Sequence, residues 1–376
     1  MNSLRILGTR GIPAAHGGFE TFAEHLACFL VQRVWRVTVY CQEKGSGPVY
    51  ESEWRGVRRV HIPVAVSGPA ATVVFDWRAI RHAAQQREPC LTLGYNTAVF
   101  CALLRLAKVP NIINMDGIEW RRAKWGLIAR AWLWLNELAG AKFGNHLVAD
   151  HPEIAKHLAQ IVSAAKITVI PYGADRLQAV PMGPVQGLGL EPGRYLTLVA
   201  RPEPENTVLE AVQGFSARPR DYKLVVLGAY VPENAYHQAV KAAASLEVMF
   251  LGAIYDKPLV QALRFHCAGY VHGHRVGGTN PSLVEALGAG NAVIAHDNAF
   301  NRWVAGDAAI YFEDAASAAE AFDALLGDTA RIESMRAAAL CRHENVFTWP
   351  TVLLAYENLF FQHFGLSPIR APSTVA

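Results

Sequence analysis

The sequence of 376 residues has no long hydrophobic run, no Cys-x-x-Cys pair among its six cysteines, and only 18% charged residues. No apolar stretch reaches the roughly 18 residues that a membrane-spanning helix needs, and the N-terminus has no signal-peptide pattern. The scattered cysteines argue against a disulfide framework and against a structural zinc site. We therefore expect a globular protein that stays in the cytoplasm.

Three common ligand motifs are missing as well. The spacing Gly-x-Gly-x-x-Gly and the Walker pattern are absent, so neither a dehydrogenase nor a P-loop enzyme is expected. There is no Asp-x-Asp sequence, and His272 and His274 have no third ligand at metal-binding spacing. We therefore predict neither a metal site nor a bound cofactor.

Charge is divided unevenly along the chain. Residues 1–172 hold 20 Lys and Arg against 12 Asp and Glu, a net charge of +8, whereas the remainder has a net charge of −5. This division indicates two domains that face different partners, with an anionic partner for the first.

Short runs rich in Val, Ile and Leu alternate with longer segments of helical period, which predicts two parallel sheets built from βαβ units. We predict seven strands between residues 4 and 170 and six between residues 195 and 312. The resulting α/β architecture has two doubly wound, Rossmann-like domains, residues 1–170 and 194–346. Their ligands are expected at the carboxyl ends of the strands, in a cleft that the two domains share.

Two further segments complete the predicted organisation. Residues 171–193 contain four Pro and five Gly without any period, and we interpret them as an interdomain linker. Residues 347–367 are apolar at helical spacing, which predicts a C-terminal helix that docks back on the first domain.

Two glycine-rich segments each follow a predicted strand and precede a helix. Residues 8–21 are GTRGIPAAHGGFET, and residues 272–290 are HGHRVGGTNPSLVEALGAG. Backbone amides and helix N-termini in such segments suit an anion such as a phosphate. In the second segment Glu285 can accept two hydrogen bonds from a ribose diol, although a solvated glutamate explains it equally well. Arg201, at the end of a predicted strand, has a planar fork that suits phosphate, with an ordinary surface arginine as the alternative.

Residues 120–144 combine aromatic and basic side chains. They hold Trp120, Trp125, Trp132, Trp134, Arg121, Arg122, Lys124 and Arg130. This combination on one helix is typical of peripheral contact with an anionic membrane surface. A core helix with an exposed basic end explains the pattern equally well. No nucleic-acid-binding module accompanies it, so nucleic acid is not expected as a partner.

Three segments together resemble the retaining glycosyltransferases of family 4, which have the GT-B architecture of two facing Rossmann-like domains. The resemblance is closest to the bacterial rhamnosyltransferase-like subgroup and covers nearly the whole chain. It is carried by residues 8–21, by DGIEWRRAKWG at residues 116–126 and by VGGTNPSLVEALGAGN at residues 276–291.

This resemblance implies metal-independent transfer of a sugar from a nucleotide diphosphate sugar, with retention of anomeric configuration. Catalysis would then consist of positioning and charge neutralisation. The resemblance assigns Glu285 to the ribose, Arg201 to the diphosphate and Asp116 to the neighbourhood of the donor sugar. The other implied donor-binding residues are Gly17, Gly18, Glu20, Asn206, His274, Gly277, Gly278, Thr279 and Asn280.

The favoured donor is dTDP-L-rhamnose. The favoured acceptor is a glycan linked to polyprenyl diphosphate, used for a cell-surface polysaccharide at the inner face of the plasma membrane. Two departures from the family pattern leave alternatives open. Gly277 replaces the first glutamate of the family's E-x7-E element, and Asn206 replaces a lysine on the diphosphate, for which Arg275 and Lys257 are candidate substitutes.

The alternatives are a donor carrying UDP or GDP and a catalytically silent GT-B subunit that acts as a partner or scaffold. A nucleotide-sugar epimerase shares the architecture. It is not favoured, because its elimination chemistry requires acids and bases of which no good set is evident.

Overall fold

The computed structural model describes residues 1–15, 17–122 and 124–366. The chain divides into two compact units, which we call unit 1 and unit 2. Unit 1 comprises residues 1–171 and the C-terminal helix from Trp349 onward, and unit 2 comprises residues 172–348. In the described part of the chain, no helix is both long enough and apolar enough to span a bilayer.

Unit 1 is a doubly wound α/β unit. Its strands are β1 (Ser3–Leu7), β2 (Arg36–Lys44), β3 (Tyr50–Trp54), β4 (Val57–Val64), β5 (Cys90–Leu93), β6 (Asn111–Asn114), β7 (His146–Ala149) and β8 (Ile167–Val169). Its first helices are α1 (Gly18–Gln32), α2 (Pro69–Gln86), α3 (Ala102–Leu106), α4 (Leu127–Phe143) and α5 (Pro152–Leu158). The eight-stranded sheet has the order β3-β4-β2-β1-β5-β6-β7-β8. Right-handed crossovers place α1 on one face of this sheet and α2, α3 and α4 on the other.

Unit 2 has a six-stranded parallel sheet. Its strands are β9 (Tyr195–Val199), β10 (Lys223–Leu227), β11 (Val248–Gly252), β12 (Gly269–His272), β13 (Ala292–His296) and β14 (Ala309–Phe312). Its helices are α6 (Gly183–Gln186), α7 (Val208–Ser216), α8 (Ala235–Ala242), α9 (Lys257–Phe265), α10 (Pro281–Gly288), α11 (Ala299–Ala305), α12 (Ala315–Leu326) and α13 (Thr329–Arg342). The strand order is β11-β10-β9-β12-β13-β14.

The strands are continuous apolar runs because both faces of each sheet are covered. In β9, Leu196 and Leu198 join one buried cluster, whereas Tyr195, which points to the opposite face, joins another. Central strands of a parallel sheet show this pattern because helices pack on both sides. All thirteen predicted strands are present, so the predicted α/β class with two parallel sheets is confirmed.

One strand was not predicted. β3 pairs antiparallel with β4. The sheet of unit 1 is therefore mixed, whereas a purely parallel sheet was expected. The two strands are joined by Arg55 and Gly56, which both have positive φ (50° and 78°), as a two-residue hairpin turn requires. The sequence of β3, YESEW, is mostly polar because this edge strand is largely exposed, and it therefore lacks the apolar run that marks the other strands.

The segment interpreted as a linker is part of unit 2 from Tyr172 onward. Ala174 forms an isolated β-bridge with Thr348, and Val185 and Leu190 are buried. The prolines and glycines of residues 171–193 thus lie in a segment that packs against the core of unit 2. Its composition alone did not reveal these core contacts.

The last helix, α14 (Trp349–Phe364), follows a π-helical turn and packs on α1 in unit 1. The ring of Tyr356 lies 4.7 Å from that of Phe22. Glu357, which is only 2% exposed, forms an ion pair with Arg33 at 2.6 Å and accepts a hydrogen bond of 3.0 Å from the indole of Trp35. One buried carboxylate therefore joins α14 to the end of α1.

Glu357→Ala should lower the free energy of unfolding of unit 1 by about 2 kcal/mol, because the Arg33 guanidinium and the Trp35 indole would lose a charged hydrogen-bond partner. Denaturant unfolding monitored by tryptophan fluorescence measures the change. Asn358→Ala, at the neighbouring exposed position of the same helix, is the matched control and should change stability little. Equal destabilisation by both variants would show that Glu357 has no such role.

Candidate functional site

In unit 2 the strand order reverses at β9, which has β10 on one side and β12 on the other. The loops that leave β9 and β12 at their carboxyl ends, residues 200–207 and 273–280, therefore run in different directions and leave a crevice between them. Ligands of doubly wound sheets bind at such a position. Most of the residues predicted for donor binding lie on these two loops.

Arg201 lies two residues beyond the end of β9, and its side chain is exposed. Asn206 differs from its predicted role on a ligand, because its side chain is only 1% exposed. Its Nδ2 donates a hydrogen bond of 2.8 Å to the carbonyl oxygen of Arg201, whereas its Oδ1 has no partner among the described residues. The buried side chain of Asn206 thus holds the backbone of Arg201 in place.

The two loops are packed closely at Gly273. A Cβ at this position would lie 2.1 Å from the carbonyl oxygen of Asn206, and the hydroxyl of Thr207 donates a hydrogen bond of 2.6 Å to the Gly273 carbonyl. Only glycine fits here, because backbone atoms of the other loop occupy the space of a side chain.

Gly277 differs, because a Cβ there would meet no atom within 4 Å. Its φ is +137°, a conformation that glutamate rarely adopts. Gly278 follows it, Thr279 is buried, and Asn280 caps α10 by accepting a hydrogen bond of 3.0 Å from the Ser282 amide. The missing first glutamate therefore coincides with a loop conformation that disfavours a side chain at this position.

His272 and His274 stack with ring centroids 4.4 Å apart. His272 is buried, neither of its ring nitrogens has a partner among the described residues, and burial lowers its pKa well below the usual value. The carbonyl of His274 accepts hydrogen bonds from Asn298 at 3.0 Å and Asn301 at 2.9 Å. These bonds from α11 and the residue before it fix the backbone at the start of the glycine loop.

Glu285 lies in the second turn of α10, and its side chain is 40% exposed. Arg264 of α9, which is almost completely buried, donates to Oε2 of Glu285 at 2.7 Å and to the hydroxyl of Ser282 at 2.9 Å. The exposed part of the carboxylate remains accessible to another donor. Glu285 is therefore a carboxylate oriented by a buried arginine, rather than a freely solvated one.

The two candidates to replace the cation that is missing at Asn206 already have partners within unit 2. Arg275 contacts Glu210 at 3.1 Å and the ring of His296 at 3.1 Å. Lys257 lies 3.3 Å from Asp175. Neither position is free of a counter-charge or hydrogen-bond partner, which leaves Arg201 as the cation on these loops that forms no ion pair with the described residues.

In unit 1 the strand order reverses at β1, between β2 and β5. The loop after β1 lies tightly against both neighbours. A Cβ at Gly8 would be 2.1 Å from the carbonyl oxygen of Leu93, and one at Gly11 would be 2.8 Å from the sulfur of Cys41. These glycines therefore meet a steric requirement of the fold in addition to any ligand.

Gly17 caps α1, which begins at Gly18. A Cβ at Gly17 would lie 2.7 Å from Oε2 of Glu20, so the glutamate side chain folds back over the start of the helix. Glu20 is only 8% exposed, and it lines the large pocket of unit 1. His16, which precedes this cap, lies outside the described residues.

That pocket has a volume of about 1150 Å³ and lies entirely within unit 1. Its cations are Arg10, Lys44 and Arg59, its carboxylates are Glu20 and Glu43, and its aromatic walls are Trp125 and Trp132. Glu43 contacts Nδ1 of His61 at 2.7 Å, and the three cations of the pocket outnumber its two carboxylates. An indole face beside such cations suits a sugar that carries an anionic group.

Asp116 follows β6 and has φ +53°. Its amide donates a hydrogen bond of 2.9 Å to Oδ1 of Asn114, whose Nδ2 donates one of 2.8 Å to the Tyr356 hydroxyl. Burial, with a contribution from the Glu119 carboxylate, raises the pKa of Asp116 to about 6. Asp116 does not line the pocket that contains Glu20.

Sequence reasoning missed three site residues of two kinds. Arg264 is an isolated arginine within a helix, so no motif marks it. Lys44 and Arg59 enter the pocket from β2 and β4, and their only sequence signal is a cation on a strand of the first sheet. Among the residues that the structure describes, there is no group of three or more His, Cys, Asp or Glu that could hold a metal ion.

Comparisons with known proteins give one match to the N-terminal half of the chain and several to nearly the whole chain. Residues 1–175 match a family model described as a domain of unknown function, DUF1972. A search of curated proteins finds no match. The chain is similar over nearly its full length to several solved structures, each at low sequence identity.

Sucrose-phosphate synthase from Thermosynechococcus elongatus has 16% identity and a TM-score of 0.79, with 98% of this chain and 100% of that chain covered. An α,α-trehalose-phosphate synthase (UDP-forming) from Burkholderia xenovorans has 13% identity and a TM-score of 0.73, with 97% and 100% covered. HepE from Anabaena, solved with UDP and glucose, has 15% identity and a TM-score of 0.74, with 96% and 99% covered. These are GT-B glycosyltransferase structures, and the GT-B fold is thereby confirmed.

Asp116→Asn should raise the melting temperature at about pH 7.5 and have a much smaller effect at about pH 4, where the carboxyl group is protonated in the folded chain and about half protonated in the unfolded chain. The sign follows from the raised pKa: the folded state disfavours the ionised form, so the penalty is nearly complete above about pH 6 and declines as the pH falls from about 6 toward the usual value of 3.8. Thermal unfolding at both pH values measures it. The exposed Asp307→Asn is the control, and an equal gain at both pH values for Asp116→Asn would contradict the interpretation.

Proposed function

We propose that the protein transfers a sugar from a nucleotide diphosphate sugar to a glycan acceptor, with retention of anomeric configuration and without a metal. The observation that carries this proposal is the position of Glu285. A carboxylate oriented by buried Arg264 lies on the helix that follows a glycine loop, at the switch point of a GT-B unit. This arrangement suits a ribose diol on the carboxylate and a diphosphate on the loop.

Different side chains of unit 2 bind different parts of the donor. Glu285 accepts hydrogen bonds from the ribose, and the guanidinium of Arg201 stabilises the negative charge that grows on the diphosphate. The backbone amides of residues 277–279 and the N-terminus of α10 add fixed positive dipoles. None of these groups needs to exchange a proton.

The proposed transfer requires no enzymic base. The bond between the anomeric carbon and the diphosphate oxygen breaks, and a bond from that carbon to the acceptor oxygen forms on the same face. The acceptor proton moves to the departing diphosphate oxygen. Catalysis then rests on positioning and on charge stabilisation at Arg201.

The donor and acceptor follow from the resemblance to family 4 and its rhamnosyltransferase-like subgroup. We assign dTDP-L-rhamnose as donor, supported by the glycine at position 277 where related enzymes place a glutamate. For the acceptor we assign a glycan linked to polyprenyl diphosphate, because the pocket of unit 1 combines indole walls with an excess of cations over carboxylates. Such an acceptor would place the protein peripherally at the inner face of the plasma membrane.

Nucleotide binding tests the donor assignment. At 100 times its dissociation constant a ligand stabilises the fold by about 2.7 kcal/mol, so thermal shifts with dTDP, UDP, GDP, ADP and their sugar conjugates rank the donors. We expect the largest shift with dTDP-L-rhamnose. Preference for UDP or GDP would change the sugar but not the reaction, whereas no shift with any nucleotide would favour a silent subunit.

Glu285→Ala should weaken donor binding by about 2 kcal/mol, because a charged hydrogen-bond partner of the ribose is lost. Titration calorimetry with the best nucleotide of the panel measures the change. Glu320→Ala, an exposed glutamate on α12, is the matched control and should bind normally. Unchanged affinity in Glu285→Ala would remove the central assignment.

Arg201→Ala should reduce turnover by about 100-fold, by analogy with other lost charge-stabilising donors. Release of the nucleoside diphosphate in the presence of acceptor measures it. Arg331→Ala, at an exposed position of α13, should retain full turnover. If Arg201→Ala is equally active, the arginine is an ordinary surface residue.

A further inference from the structure

Helix α4 has two different apolar faces. Leu133 and Ala141 are buried in unit 1, whereas Ile128 is 90% exposed and Leu135 is 55% exposed. Ile128 and Leu135 are seven residues apart and therefore lie on one stripe, which continues to Lys142. The outward stripe does not pack in the core of unit 1, because the opposite face of the helix, with Leu133 and Ala141, packs there.

The neighbouring helices on the same face of the sheet repeat this pattern. On α2, Val74 and Trp77 are 38% and 41% exposed, and Arg81 follows one turn later on the same side. On α3, Leu106 is 79% exposed beside the exposed Arg105. Since α3 packs against both α2 and α4, the three stripes form one surface, which we call the α2–α4 face.

The charge on this face has one sign. In the described segments 69–87, 94–110 and 124–146, the acidic residues are Asp76 and Glu137, and both are buried. The exposed charges are therefore all positive. They include Arg81, Arg105, Lys108 and Lys142.

A face that combines exposed Leu, Ile and Trp with cations alone fits the interface of an anionic lipid bilayer, where apolar side chains enter the acyl boundary and cations meet lipid headgroups. Pairing of two copies through this face would bring like charges together, which is unfavourable. We infer that the α2–α4 face of unit 1 docks on an anionic membrane surface.

The face is continuous with the pocket of unit 1. Trp132 lines the pocket and is itself 40% exposed, and Val73, next to the exposed Val74, lines the same pocket. A lipid-linked acceptor could thus present its headgroup to the pocket while its chain stays in the bilayer. This link to the acceptor rests on the proposed function, whereas membrane docking itself does not require transfer activity.

Flotation of the full-length protein with vesicles tests the inference without donor or acceptor. We expect binding to vesicles of phosphatidylcholine mixed equally with phosphatidylglycerol, weak binding to pure phosphatidylcholine, and release at high salt. Leu127→Ser combined with Ile128→Ser should reduce partitioning by at least about tenfold, because two largely exposed apolar side chains are removed. Arg105→Gln combined with Lys108→Gln should reduce it by about 25-fold, at about fivefold per cation.

The matched control is Leu246→Ser combined with Tyr255→Ser, which removes two side chains of unit 2 that are 99% and 85% exposed. It should bind anionic vesicles as the wild type does. Absence of binding to anionic vesicles, or equal loss in the control, would overturn the inference. A change of oligomeric mass in Leu127→Ser/Ile128→Ser without vesicles would assign the face to a protein contact instead. Donor binding measured by thermal shift is independent of these outcomes, so failure of docking is distinguishable from failure of the proposed function.

Discussion

Both candidate sites depend on one steric constraint, which is that two loops must pass each other closely where the strand order reverses. Gly8 in unit 1 lies against the carbonyl of Leu93, and Gly273 in unit 2 lies against the carbonyl of Asn206. In each case a Cβ would stand 2.1 Å from a backbone carbonyl oxygen, which is closer than a side chain can approach a backbone atom. Because glycine allows this approach, the chain can cross its neighbour at the switch point, and the residues that follow lead into α1 and α10. The glycines are thus required by the fold first, and the ligand-binding geometry follows from that requirement.

Much of the fold was predictable because parallel sheets impose a simple pattern. Buried strands such as Cys90–Leu93 and Gly269–His272 are short apolar runs, and the sequence predicted both with the observed bounds. β3 escaped prediction because an exposed edge strand has no need of apolar side chains. Residues 171–193 were misinterpreted because proline and glycine were counted as signs of a linker, whereas the buried Val185 and Leu190 determine where the segment packs.

The candidate site was predictable only in part, for a related reason. Motifs marked Arg201, Glu285 and the glycine loop, since each belongs to a short segment that follows a predicted strand or opens a predicted helix. Arg264 reaches Glu285 from another helix, and Arg59 reaches the pocket of unit 1 from β4, so their roles arise from tertiary packing. Asn206 shows the opposite error. Its position suggested a ligand contact, but its buried amide holds the backbone of Arg201. A residue in a motif can therefore support the site without facing the ligand.

Helix α4 contributes side chains both to the pocket of unit 1 and to the α2–α4 face. Its first turns supply Ala129, Trp132 and Leu133 to the pocket, while Ile128 and Leu135 point away from it. The buried polar residues of the helix are satisfied by neighbours. Glu137 accepts a hydrogen bond from the indole of Trp120 at 3.1 Å and contacts His157 at 3.0 Å, and Asn136 accepts one from the Val99 amide at 3.0 Å. These buried contacts fix the rotation of α4 about its axis. That rotation decides at once which side chains line the pocket and which lie on the α2–α4 face, so a change in the buried network would alter both surfaces together.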